Sequence, residues 1–269
     1  MSTEQDQIAV IKLSTSLVNH KDNSLNEGNI QAYVAQIMQR EIREQYKIIL
    51  VSSGAIATGK FLLNGTCANG GTIEEGKLQE YASIGQPHLF IAFYNALLEH
   101  KALASQVLVT NQELQDPKTR EKILATLRWN LRETRKQIVP IVNENDTVAT
   151  DEFITDNDEI AGKISELVHA KVLLLLTNTN GVLAGMHDPD SRISTFAAGS
   201  REWERYVHDT PNGRNRGGMT SKCEVGSRLS LQGIRVVIAN GSDPQNDPTL
   251  IARALLRPGE DGTTFLPAE

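Results

Sequence analysis

Two periods alternate along this chain. Short runs in which nearly every residue is apolar, Ile8-Ala9-Val10-Ile11, Ile48-Ile49-Leu50-Val51, Ile138-Val139-Pro140-Ile141-Val142 and 172–176, read as strands buried on both faces. Further strands are expected at 106–110 and 234–239. Between them the apolar positions recur at helical spacing. Ile30, Tyr33, Val34, Ile37, Met38 and Ile42 mark one helix; Leu78, Tyr81, Ile84, Leu89, Phe93 and Leu97 mark a longer one over 77–100, where Pro87 is expected to kink or break it. Ile123, Leu124, Leu127 and Leu131 mark a third, and Ile160, Ile164, Leu167 and Val168 a fourth over 158–169. Segments 64–76 and 191–218 keep no regular period, and loops of that length in compact domains are usually lids or binding loops.

Strand–helix alternation of this kind predicts an α/β architecture, a mainly parallel sheet covered by helices on both faces. At 269 residues one large domain suffices, and 39% hydrophobic with 22% charged residues fits a globular chain. A net charge of −6 argues against a nucleic-acid surface as the main function. Cys67 and Cys223 are too few for a disulfide framework. With no signal pattern and no membrane-length apolar run, a cytoplasmic protein is expected.

The polar residues that follow the strands carry the chemistry. In open α/β sheets ligands bind outside the carboxyl ends of the strands. Asn143-Glu144-Asn145-Asp146 follows one strand, and Asp156-Asn157-Asp158 opens the next helix. Either cluster alone is also what a turn or a helix cap requires. Lys12 ends the first strand, followed by Ser14-Thr15-Ser16, where an ammonium and loop N–H groups could hold a phosphate. Ser52-Ser53-Gly54-Ala55 and Arg216-Gly217-Gly218-Met219-Thr220-Ser221-Lys222 each open a helix, and small residues there let backbone N–H groups approach an anion. Gly71 to Lys77 has P-loop spacing, but Leu78 stands where a magnesium-binding hydroxyl is needed and no strand precedes it. It reads as loop.

Together these motifs resemble the amino acid kinase family, and within it the glutamate 5-kinase branch. The resemblance rests on Lys12 with Thr15-Ser16, on 51–57, Ile84-Gly85-Gln86, Val109-Thr110 and 141–146, then on Asp156-Asn157-Asp158, 174–177, Gly217-Gly218-Met219 with Lys222, and Gly262-Thr263 with Phe265. It implies a three-layer αβα sandwich over 1–269, with substrate bound by the N-terminal part, nucleotide by the C-terminal part, and no C-terminal PUA domain. The implied reaction is ATP-dependent phosphorylation of the γ-carboxylate of L-glutamate, the first step of proline biosynthesis. Another small carboxylate, or a weakly active or regulatory paralogue, is the alternative. By resemblance, Lys12 and Lys222 neutralise the phosphoryl group in flight and Asp158 positions them. Ser53, Gly54, Ala55, Asn143, Asp146, Asp156 and Asn157 hold glutamate. Lys12, Ser14, Thr177, Asn178, Arg216, Gly217, Gly218, Met219, Thr220, Ser221 and Lys222 line ATP, and Mg2+ rides on the nucleotide with no protein ligand.

Five positions depart from the family pattern: Ser14 for glycine, Thr155 for glycine, Asn178 for aspartate, Leu183 for tyrosine and Arg216 for threonine. They put nucleotide use in question more than the reaction class. The resemblance also implies a homo-oligomer, dimer or tetramer, built on the helix at 77–100, and a functional link to glutamate-5-semialdehyde dehydrogenase. It implies no nucleic-acid or membrane partner.

Overall fold

A computed structural model of the chain describes residues 7–65, 77–149, 156–185, 188–207 and 218–268. Eight strands form one sheet: β1 (Ile8–Leu13), β2 (Lys47–Ser52), β3 (Leu103–Val109), β4 (Ile138–Glu144), β5 (Val172–Thr177), β6 (Thr195–Phe196), β7 (Arg235–Asn240) and β8 (Thr263–Phe265). Their spatial order is β3-β4-β2-β1-β5-β7-β8-β6. All neighbours are parallel except β7 and β8, which pair antiparallel. The helices are α1 (Thr15–Val18), α2 (Glu27–Ile37), α3 (Arg40–Gln45), α4 (Ala55–Asn64), α5 (Lys77–Glu99), α6 (Asn111–Gln115), α7 (Pro117–Arg132), α8 (Asn157–Val168), α9 (Met219–Ser230) and α10 (Leu250–Leu256).

Two hydrophobic layers sandwich the sheet, as the alternation predicts. Ala9, Ile11, Leu13, Ile48, Leu50, Leu174 and Leu176 face a layer completed by α2, α5 and α10. Val10, Ile49, Val51, Val142, Leu173 and Leu175 face the other, completed by α7, α8 and α9. Side chains alternate across a strand, so Lys12 lies on the face of Val10, toward α8 and α9. β1 and β5 are the neighbours from which the strand order runs outward in opposite directions. Such a switch point is where α/β sheets open a ligand crevice, and Lys12 pairs there with Leu175.

Several expectations need correction. β1 continues past Lys12 to Leu13. The helix read over 30–42 is two, because Gln39 takes extended backbone and starts α3; Ile42 stays buried, so the burial period survives the break. Pro87 lies inside the unbroken helix α5. The loss of one backbone bond, ~3 kcal/mol, is offset by burial of Tyr81, Ala82 and Gly85 before it and Leu89, Phe93 and Leu97 after it. Part of the 191–218 segment is ordered: Phe196 of β6 and Trp203 of a short 3-10 turn (Glu202–Arg205) enter the core.

Helices α4 and α5 touch through glycines. A methyl group on Gly85 would stand 1.8 Å from the Ala55 carbonyl oxygen, and one on Gly59 would stand 1.8 Å from that of Tyr81. This contact fixes the start of α4, which begins at the end of β2. No helix among the described residues is long and apolar enough to cross a membrane.

Candidate active site

Three helix N-termini meet at the carboxyl ends of β1, β2 and β5. Gly54 caps α4 at φ +109°, a left-handed conformation suited to glycine, and a methyl group there would collide with Asn19 Oδ1 at 2.4 Å. Asp156 caps α8, its Oδ1 accepting from the Asp158 N–H at 3.0 Å. Gly218 caps α9. Side chains cross-link the three: Asn157 Nδ2 donates to Ser53 Oγ at 3.0 Å, and Ser221 Oγ donates to Asp156 Oδ2 at 2.6 Å. Each helix start carries partial positive charge and unpaired N–H groups, so together they favour an anion between them.

At the centre lies Asp158, wholly buried. Lys12 Nζ contacts its Oδ1 at 2.6 Å and Lys222 Nζ its Oδ2 at 2.8 Å, and both lysines are 3% exposed or less. Burial is the largest influence on the Asp158 carboxyl and pushes its pKa up. The charges of Lys12 and Lys222, with their hydrogen bonds, outweigh it, so the pKa lies below the usual carboxylate range. Asp156 goes the other way: burial, then the charge of Asp158, raise it against Lys12 and Ser221. The pair therefore has one firmly ionised member and one held closer to protonation.

Lys12, Asp158, Lys222, Ser53, Asp156, Asn157 and Ser221 form one connected group. Asn157 also holds its Oδ1 buried without a hydrogen-bond partner among the described residues, an acceptor suited to a ligand. Asn143, at the end of β4, donates to Gln86 Oε1 at 2.7 Å and accepts the Glu144 N–H at 2.9 Å. Gln86 is absent from the sequence-based site; its signal is the Ile84-Gly85-Gln86 match. With Asp146 it lines a cleft of about 480 Å³, together with Phe90 and Leu108. Thr177, one of the residues expected to line ATP, ends β5 buried, and Asn178 beside it is exposed. Ser14 has ordinary extended backbone at φ −75°, with its hydroxyl 3.2 Å from that of Ser16. Arg216, Gly217, Thr155 and Cys67 lie outside the described residues, as does 66–76, most of the loop expected near the substrate.

The model of the amino acid kinase family matches residues 7–240. Curated glutamate 5-kinases are similar along most of the chain. That of Chlorobaculum tepidum is 29% identical over 96% of this chain and 68% of its own length. That of Bacteroides thetaiotaomicron is 30% identical over 90% and 65%, and that of Burkholderia multivorans 35% over 87% and 62%. The chain thus spans about two thirds of the length of these relatives. Among solved structures, the isopentenyl phosphate kinase of T. acidophilum superposes with a TM-score of 0.64 at 14% identity, over 96% of this chain and all of that one. A protein of Aeropyrum pernix K1 gives 0.65 at 13% identity, over 97% and 100%. Both share the fold.

Proposed function

The chain belongs to the amino acid kinase family, and we propose that within it this protein transfers the γ-phosphoryl group of ATP to the γ-carboxylate of L-glutamate, giving γ-glutamyl 5-phosphate. The observation that carries the reading is the buried Lys12–Asp158–Lys222 group, which sets two ammonium groups on one carboxylate at the sheet's switch point. An anionic phosphoryl group in flight requires stabilisation of that kind. The similarity to glutamate 5-kinases supports glutamate as the acceptor.

A glutamate side chain, with an ordinary pKa of about 4.3, is already ionised at neutral pH, so no general base is needed. One γ-carboxylate oxygen forms the new bond to phosphorus as the bond to the β,γ-bridging oxygen breaks. The electron pair leaves on ADP and no proton moves. Lys12 and Lys222 offset charge on the transferring group, and Asp158, ionised throughout, keeps both ammonium groups aimed at it. Ser53, the Gly54 and Ala55 N–H groups, Asn143, Asp156 and Asn157 hold glutamate, with the unpartnered Asn157 oxygen and the Asp146 carboxylate suited to its ammonium group.

Thr177, Asn178 and the 216–222 segment line ATP. No group of three or more His, Cys, Asp or Glu able to hold a metal occurs among the described residues, and Asp158 is occupied by its lysines. In this reading, as the family resemblance implies, Mg2+, which screens phosphate charge, rides on the nucleotide. The α5 face that exposes Ile91, Tyr94 and Leu98 is the surface for a homo-oligomer. ADP release measured with glutamate, aspartate, N-acetylglutamate and isopentenyl phosphate in turn tests the reading. Release driven by glutamate alone supports it, and release driven by another acceptor redirects it.

A further inference from the structure

A cleft of about 1090 Å³ lies at the opposite end of the sheet from Lys12. Its floor is the amino ends of three strands, with Gln7 and Ile8 at β1, Lys171 before β5 and Ile234 before β7. Its wall is α7, which contributes Arg120, Arg128 and Arg132. None of these arginines nor Lys171 forms an ion pair with a carboxylate of the described residues. The acid of the cleft, Glu166, is already held by Arg228 and Gln232.

Ordinary helix energetics account for only part of the charge on this helix. Cations near a helix C-terminus complement its dipole, which explains Arg132. Cations in the first turn oppose it, yet α7 carries Lys118 and Arg120 there, where the acid is Asp116 at the N-cap, its carboxylate accepting from the Thr119 N–H at 2.8 Å. Arg128 and Arg132 form a like-charged i,i+4 pair, also unfavourable. A chain of net charge −6 thus gathers three arginines along one groove, with Glu121 on the adjoining cleft and none of the three in an ion pair among the described residues. At 1.5 Å per residue they stand about 12 and about 6 Å apart along the axis, a row suited to a chain of charges more than to a single ion. Guanidinium groups favour phosphate.

We infer that this groove binds a polyphosphate chain, either inorganic or carried on a nucleotide. Trp129 lies beside the groove, 76% exposed, on a smaller cleft that shares Arg128 and Arg132. It gives a local optical signal, the chain's other tryptophan, Trp203, being buried. The inference is independent of the reaction proposed above.

Equilibrium dialysis of inorganic tripolyphosphate tests it on the full chain, on Arg128→Ala/Arg132→Ala, on Arg120→Ala and on Lys222→Ala. The arginines are exposed, so their loss leaves the fold intact. Binding should weaken about tenfold or more per arginine removed and persist in Lys222→Ala. Binding abolished in Lys222→Ala but kept in the arginine variants would place the anion at the catalytic centre and overturn the inference; so would no binding by the unaltered chain. In a parallel arm, Trp129 fluorescence is titrated with ATP and with tripolyphosphate in the Lys222→Ala background. Tighter binding of ATP identifies a nucleotide as the source, equal binding the bare phosphate chain, and no response to either, with dialysis also negative, removes the site.

Discussion

Lys12 and Lys222 hold opposite oxygens of one buried carboxylate, Lys12 at 2.6 Å from Asp158 Oδ1 and Lys222 at 2.8 Å from Oδ2. The group carries one more positive than negative charge, and this excess predicts unequal effects of its loss. Lys222→Met leaves Asp158 paired with Lys12, and stability should change by no more than ~1 kcal/mol, since the large cost of breaking a buried ion group comes from a charge left unpaired. Turnover should fall on the order of 1,000-fold, as when a transition-state donor is removed. Asp158→Asn takes from two buried ammonium groups the carboxylate they share and should cost about 3–5 kcal/mol. Urea unfolding beside initial rates separates the two; equal destabilisation by both variants would mean the group is structural.

Acid should act on the same group. The folded pKa of Asp158 lies below its unfolded value, so its contribution is complete above the ordinary carboxylate range and is lost as pH falls through the lowered folded pKa. Asp156, with a raised pKa, has the opposite sign: its contribution is complete below the unfolded value and is lost as pH rises through the folded one. Asp156→Asn should therefore melt at or above the unaltered protein at pH 8, with the gap closing near pH 4. A variant markedly less stable at pH 8 would show that the Ser221 and helix-cap bonds outweigh the charge.

The glycine contact between α4 and α5 should tolerate no side chain. Gly85→Ala places a methyl group 1.8 Å from the Ala55 carbonyl oxygen, and forcing the helices apart should cost about 3 kcal/mol. Because Ser53 and Gly54 lead into α4, the glutamate requirement should rise as well. Denaturant midpoints and KM for glutamate check both; an unchanged midpoint would show that α5 shifts freely.

Asn157→Ala removes both the bond to Ser53 and the unpartnered buried oxygen. The KM for glutamate should rise about tenfold, as for a lost hydrogen bond to a charged group, with KM for ATP unaffected. Equal changes in both would take Asn157 out of glutamate binding.

Ser14 makes no helix-cap bond and has backbone angles open to any residue, so Ser14→Gly should alter stability by less than ~1 kcal/mol. If its Cβ crowds the γ-phosphate, KM for ATP should fall or hold. A severe loss of ATP use would identify the hydroxyl as an adaptation of this chain.

Much of the sheet was legible because buried parallel strands leave continuous apolar runs, as at 48–51 and 172–176. β6 and β8, two and three residues long, are too short to show a period. The break at Gln39 was hidden because Ile42 keeps the burial phase of α2, and Pro87 misled because burial on both sides of it holds α5 together. In the site, residues near strand ends and helix starts announced themselves, Lys12, Ser53 and Asp158 among them. Their partners did not. That Asn143 meets Gln86, or that Ser221 turns to Asp156, follows from how helices and strand ends are set side by side, and no local pattern encodes it.

The most direct test of the central claim is hydroxylamine trapping with the purified protein, Mg-ATP and glutamate, beside Lys222→Met and a no-glutamate control. Hydroxylamine captures an acyl phosphate before it cyclises or hydrolyses. Glutamate-dependent hydroxamate, lost in Lys222→Met, is the predicted result. Folded protein that yields no hydroxamate with glutamate, or a Lys222→Met variant as active as the unaltered chain, would contradict the account.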